Sequence, residues 1–159
     1  MFGLFKSQPF RDAQLGELVR SRGYWRGSLP QDGDSVIPLV LAGGRSQPDP
    51  RALSLARDLP QISVRLRPAI AEALFEHYQP YAEAVADAEA APPAAGLPPI
   101  ASPADVWPHV TPLYAAVIRR DGALIAELGY RVAWDEEHTL GARLRDGELL
   151  ELCGSVLAP

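Results

Sequence analysis

ALIAELGYRVAW, residues 123–134, alternates along most of its length: Leu124, Ala126, Leu128, Tyr130, Val132 and Trp134 fall on one side of an extended chain, Glu127, Gly129 and Arg131 on the other. Successive side chains of a strand point to opposite faces, so this period of two predicts a β-strand with one buried face and one wetter face. Downstream, LGARLR (140–145) repeats the pattern, with Leu140, Ala142 and Leu144 inward and Arg143 and Arg145 outward, and Asp146-Gly147 turns the chain into a last strand. Upstream, TPLYAAVIRR (111–120) leads in through a second turn dipeptide, Asp121-Gly122. The C-terminal third reads as an antiparallel β-meander. A two-residue final turn would set Ala142 opposite Glu151 and Arg143 opposite Leu150, mixing the faces. A three-residue loop with Gly147 at positive φ keeps Leu150 and Leu152 on the apolar side and is the expected form.

Towards the N-terminus, GYWRGSLPQDGDSVIPLVLAGG (23–44) reads as a hairpin with strands at roughly 23–29 and 35–42, its loop carrying Pro30 and Asp32-Gly33. Before it, DAQLGELVRS (12–21) sets Leu15, Leu18 and Val19 at helical spacing and predicts a short helix, weakened by Gly16. A helix start is written at Asp49-Pro50, a capping oxygen followed by a residue suited to the first turn. Pro60 is expected to break or restart that helix and Pro68 to kink the next stretch, where Ile62, Leu66, Ile70, Ala73 and His77 share a face. The Pro/Ala/Gly-rich segment 91–99 reads as a surface loop, and Ser102-Pro103 with Asp105 as the start of a single helical turn. Hairpin, helices and meander in that order predict an α+β fold, mainly antiparallel, with a central helical segment packed on one sheet face.

The chain has 159 residues, the length of one domain with one core, and 1–159 is read as such. Hydrophobic residues at 47% and charged ones at 22% indicate neither a disordered chain nor a membrane protein. The net charge of −5 includes no run of Lys or Arg able to track phosphates, so nucleic acid is not an expected partner. No stretch approaches the roughly 20 apolar residues of a membrane span, and membrane association is not expected. Only Lys6 is a lysine, every other base being arginine, a bias that points to a GC-rich bacterial genome. Cys153 stands alone, which excludes an internal disulfide or a multi-cysteine zinc site and fits a cytoplasmic protein. Lys6 interrupts MFGLFKSQPF too early for a signal-peptide core, so Phe2, Leu4 and Phe5 are read as anchors of a packed terminus. The glycine-containing LAGGR lacks the remaining glycines and the lysine of a phosphate loop, and no cofactor is expected.

Chemistry concentrates in RVAWDEEHTLG, 131–141. Were the strand to run straight through, Glu136 and His138 would share the Trp134 face and Asp135 and Glu137 the other; were it to stop at Trp134 and resume near Thr139, residues 135–138 would form a connection facing solvent. As a turn, Asp135 bonds the local backbone and Trp134 closes one end of the core. As a catalytic site, His138 would shuttle protons with Asp135 or Glu137 orienting it, or join a partial metal shell; no complete set of metal ligands is legible. As a binding surface, Trp134, Asp135, Glu137 and His138 would present an acidic, aromatic-backed loop to a basic partner. His77 reads as a hydrogen-bonded core histidine, His109 as a strand-entry residue and Cys153 as a small buried hydrophobe. Trp25 and Arg26 in GYWRG suit core packing or an interface.

The segment WDEEHTLGARLRDGELLELCG (134–154) with its preceding strand resembles bacterial domain-of-unknown-function families that carry a W-D-x-E-H-x-x-G signature before a closing hairpin. Trp134, Asp135, Glu137, His138 and Gly141 match it, and the resemblance covers roughly residues 123–154. Such domains are similar to immunity proteins of bacterial polymorphic-toxin systems, which implies a small cytosolic binding protein. The leading expectation is therefore a protein-binding module, immunity-like or regulatory, whose partner is another protein. The rivals are a hydrolase or metal-dependent enzyme using His138 with Asp135 or Glu137, and a structural protein that self-associates through its last strand. The sequence leaves the oligomeric state open.

Overall fold

Asp49 and Pro50 begin a long helix where their chemistry places it. The Asp49 carboxylate accepts the backbone N–H groups of Arg51 (2.8 Å) and Ala52 (3.3 Å), and Pro50 sits in the first turn, where no N–H is missed. In the computed structural model, which describes residues 6–88 and 97–154, this helix, α1, spans Pro50–Asp87 and separates two groups of four strands. Before it come β1 (Phe10–Asp12), β2 (Gly16–Ser21), β3 (Tyr24–Pro30) and β4 (Val36–Leu41); after it come a 3-10 helix, Pro103–His109, then β5 (Val110–Arg120), β6 (Ala123–Val132), β7 (Asp135–Arg145) and β8 (Glu148–Cys153). All eight lie in one sheet in chain order. Neighbours pair antiparallel except β4 and β5, which α1 connects as a parallel pair, Leu39–Leu41 against Ala115–Val117. The α+β class, the N-terminal hairpin and the C-terminal meander are as expected.

The core lies between α1 and one face of this sheet. Leu59, Leu66, Ile70, Leu74 and Tyr78 of α1 meet Leu39, Leu41, Val117, Leu128, Leu140 and Ala142, all buried. The buried line of the helix runs through Ala71, Leu74 and Tyr78, so the expected face at Ala73 and His77 turns to the side of the contact. No helix among the described residues is long and apolar enough to cross a membrane.

Four local expectations are corrected. The predicted helix over 12–21 is instead the end of β1, a turn at 13–15 and strand β2, and Arg22-Gly23, both at positive φ (51° and 88°), folds β2 back onto β3 as a two-residue hairpin. Gly27 then makes the docking possible: a Cβ there would lie 2.4 Å from Leu18 Cδ2, so the buried Leu18 rests on a backbone with no side chain. Next, α1 does not break at Pro60, and it continues through Pro68 and Pro80 as one helix; Pro68 and Pro80 face solvent while the opposite face is held in the core. The β7–β8 turn has two residues, Asp146 and Gly147 (φ 53° and 77°), not three. A bulge reconciles it with the apolar pattern: Leu144 pairs Leu149 but Arg143 pairs Glu151, which leaves Leu150 outside the ladder and exposed and returns Leu152 to Ala142. Finally, Ser102 makes no side-chain cap to the backbone; its hydroxyl donates to Asp105 at 2.7 Å.

Of the segment 91–99, residues 91–96 lie outside the described residues, as do the expected anchors Phe2, Leu4 and Phe5. Its end is packed: Pro98 is buried and its carbonyl accepts the Tyr78 hydroxyl at 2.7 Å.

Candidate functional site

Both readings of WDEEH hold in part. Val132 pairs with Asp135 across a two-residue turn, Ala133-Trp134, and Arg131 pairs with Thr139, so Glu136, Glu137 and His138 bulge out of the β6–β7 ladder. The turn is tied down from outside, since the Ala133 N–H donates to the His109 carbonyl at 2.9 Å. Trp134 points inward and is buried, its ring edge-on to Tyr78 with centroids 5.5 Å apart. Its indole N–H donates to His77 Nδ1 at 3.0 Å. That bond makes Nδ1 the acceptor and assigns the proton of a neutral His77 to Nε2. Burial pushes the His77 pKa down, against the raising effect of Asp135, so the ring favours its neutral form.

Asp135 is the centre of the cluster. One carboxylate oxygen accepts the Tyr81 hydroxyl at 2.8 Å; the other accepts His138 Nδ1 at 2.9 Å and the His138 backbone N–H at 3.3 Å. Burial alone would raise its pKa, but the bonds from Tyr81 and His138 outweigh burial and hold the carboxyl below its ordinary value. His138 is raised in turn, chiefly by its bond to Asp135, although its side chain is 59% exposed. His138 Nε2 is left for other contacts. Tyr81 belongs to the same device, its phenol pushed up by the bond to Asp135. His77 and Tyr81 stand one helical turn apart with ring centroids 5.6 Å apart.

The expected residues thus divide. Trp134, Asp135 and His138 come together; Glu137 is exposed and makes no hydrogen bond among the described residues, so Asp135 alone orients the imidazole. Glu136 lies beside a shallow surface cleft with His109, Thr111 and Arg131. Cys153 is half-buried and burial pushes its thiol pKa up, the setting of an inert thiol. Trp25 is fully buried and donates to the Gly44 carbonyl at 3.0 Å. Tyr81 was not foreseen, though its i, i+4 spacing from His77 was the available signal. Among the described residues no group of three or more His, Cys, Asp or Glu is placed to hold a metal ion.

A second polar cluster occupies the sheet face away from α1, where β6 and β7 were expected to be wet. Glu127 and Arg143 are instead 2% and 8% exposed. Glu127 accepts Arg143 Nε at 2.9 Å and the Tyr114 hydroxyl at 2.6 Å, and Arg143 Nη1 reaches Glu151 at 3.0 Å. Two glycines make the cover possible, because a Cβ on Gly129 would lie 2.2 Å from the Tyr114 ring and one on Gly141 2.9 Å from the Glu127 carboxyl carbon. Long side chains therefore lie flat across the strands and shield one another. The carboxylates and guanidinium are paired internally, which marks this network as structural.

Residues 14–156, nearly the whole chain, match the domain of unknown function DUF6985. The chain belongs to that family. The DUF6985 match takes in α1 and every strand from β2 to β8, so the helical brace of the WDEEH turn lies inside the family domain with the turn itself. No curated protein and no solved structure matches the chain.

Proposed function

We propose that this DUF6985 protein is a protein-binding module of the bacterial cytoplasm, immunity-like or regulatory, which engages a basic partner surface through the Glu136–His138 bulge. One observation carries the reading: both oxygens of the buried Asp135 are occupied in holding the bulge, so that segment is a braced display of exposed polar groups. A rigid protrusion loses little conformational freedom on association, and its two exposed carboxylates suit arginine or lysine on the other side. The excess of acidic residues in the chain supports the same polarity of partner.

The test is affinity capture from the native host with wild-type protein and a Glu136→Lys/Glu137→Lys variant, followed by calorimetry on each purified candidate. A basic partner whose affinity falls about tenfold or more on charge reversal, and weakens with added salt, is the expected result. Equal affinity for the reversed variant refutes the acidic bulge as the contact.

One feature favours a second reading, a hydrolase. The His138 Nδ1–Asp135 bond of 2.9 Å leaves Nε2 outward, as in a general base oriented by a carboxylate. Turnover of ester, amide or phosphodiester substrates that His138→Ala abolishes would place the protein there.

A further inference from the structure

We propose that a second site, a cleft between α1 and the point where β4 and β5 part, binds a small carboxylic acid with a flat apolar body. The two strands pair only over Leu39–Leu41 and Ala115–Val117, although β4 starts at Val36 and β5 at Val110. Pro38 and Pro112 lie in these unpaired starts and carry no N–H to bridge the gap, and β5 shifts register between Pro112 and Tyr114. The opening left between the strands is a cavity of about 370 Å³, within the range of small-molecule sites.

Part of its wall is apolar and aromatic, with Leu29, Ile37, Leu128 and Trp107, and the rest is polar. Two polar groups set its chemistry. Tyr130 is 6% exposed, and its hydroxyl makes no hydrogen bond among the described residues. Arg67 lies with its guanidinium carbon 3.9 Å from the Trp107 ring centroid and forms no ion pair or hydrogen bond among the described residues. The Trp107 ring is itself edge-on to Tyr130, with centroids 6.2 Å apart, so the cation, the indole and the phenol are neighbours in one wall. The Arg67 charge also acts on the phenol, partly offsetting the burial that pushes Tyr130 up to about 12. A stacked guanidinium keeps its N–H edge available, and a phenol at that pKa is a neutral donor at physiological pH.

A donor pair of one cation and one buried hydroxyl, beside apolar walls, complements a carboxylate attached to an apolar ring. Asp32 and Gln31 stand on the β3–β4 side of the cleft, where Asp32 would repel a second negative charge; a monoanion therefore fits better than a dianion. This site is independent of the WDEEH bulge and of the partner proposed for it.

The experiment is a ¹H–¹⁵N NMR titration of the full chain with phenylacetate, 3-phenylpropanoate and indole-3-acetate, each against its neutral alcohol, at up to millimolar concentration. Expected are shifts centred on the Trp107 indole N–H, affinity for the acid about tenfold or more above that for the alcohol, and loss of that preference in Arg67→Gln. Arg67 is exposed and Tyr130→Phe removes one oxygen only, so an unchanged spectrum of each free variant checks that the fold is kept; Tyr130→Phe should weaken the acid several-fold. Equal binding of acid and alcohol, shifts centred away from Trp107, or no shifts with any acid would each overturn the proposal.

Discussion

At the residue scale, Asp135 and Trp134 carry the most consequence per atom. Trp134 fills the end of the core and donates to His77, so Trp134→Ala opens a cavity and leaves an imidazole acceptor without its donor. We expect a loss of about 3–5 kcal/mol in denaturant unfolding, and an unchanged midpoint would place the ring outside the core. Asp135 raises the His138 pKa, so Asp135→Asn should move the His138 NMR titration down towards the ordinary value of about 6.5. A raised folded pKa gives His138 a stabilising contribution that is full below about 6.5 and lost as pH rises through the folded value. The variant should lack that part of the pH dependence. A His138 curve that Asp135→Asn leaves in place would show that the pair is not formed in solution. Trp134, Asp135 and His138 were legible as a cluster from their spacing. Their brace was not, because His77 and Tyr81 come from a helix more than fifty residues earlier.

At the element scale, strands and turns were easier to read than registers. The alternation in β6 and β7 named the α1-facing residues correctly because period two survives any tertiary context in which one face is buried. The opposite face differs from the expected wet one because Gly129 and Gly141 let neighbouring side chains lie over the strands and bury Glu127 and Arg143. Gly129→Ala tests this directly. Its φ is not in the left-handed region, so the backbone accepts alanine, and the cost comes from displacing Tyr114. We expect a destabilisation of about 1–3 kcal/mol in wild type that largely disappears in a Tyr114→Ala background, measured as a double-mutant cycle. Full additivity would refute the overlay. The β7–β8 turn shows the same limit in another form, since a two-residue turn and a bulge at Leu150 return Leu152 to Ala142 but leave Leu150, expected on the apolar side, exposed.

At the scale of the whole molecule, the N-terminal strands are tied to α1 by an ion pair between a buried Asp12 and a half-exposed Arg57. Asp12, 8% exposed, accepts Arg57 Nε at 3.0 Å and its Nη2 as well, and caps the backbone at Gln14 and Leu15. These bonds, led by Arg57, hold the Asp12 pKa at about 2. A depressed carboxyl contributes stability above its unfolded value, about 3.8, that is lost as pH falls towards 2. Asp12→Asn should therefore cost about 2 kcal/mol at neutral pH and flatten acid unfolding between those limits. An acid transition identical to wild type would show that the tie is absent. Composition and periodicity by themselves determined the α+β class, the helix start at Asp49-Pro50, the meander and the clustering of Trp134, Asp135 and His138, because these depend on neighbours within a few residues. Only the tertiary structure decided that 16–21 is a strand, that α1 passes three prolines unbroken, that β4 and β5 run parallel and part to leave a cleft, and that Asp135 is held by Tyr81. Each of these rests on burial against, or bonding to, a segment distant in the chain, and that contact outweighs the local preference that spacing alone records.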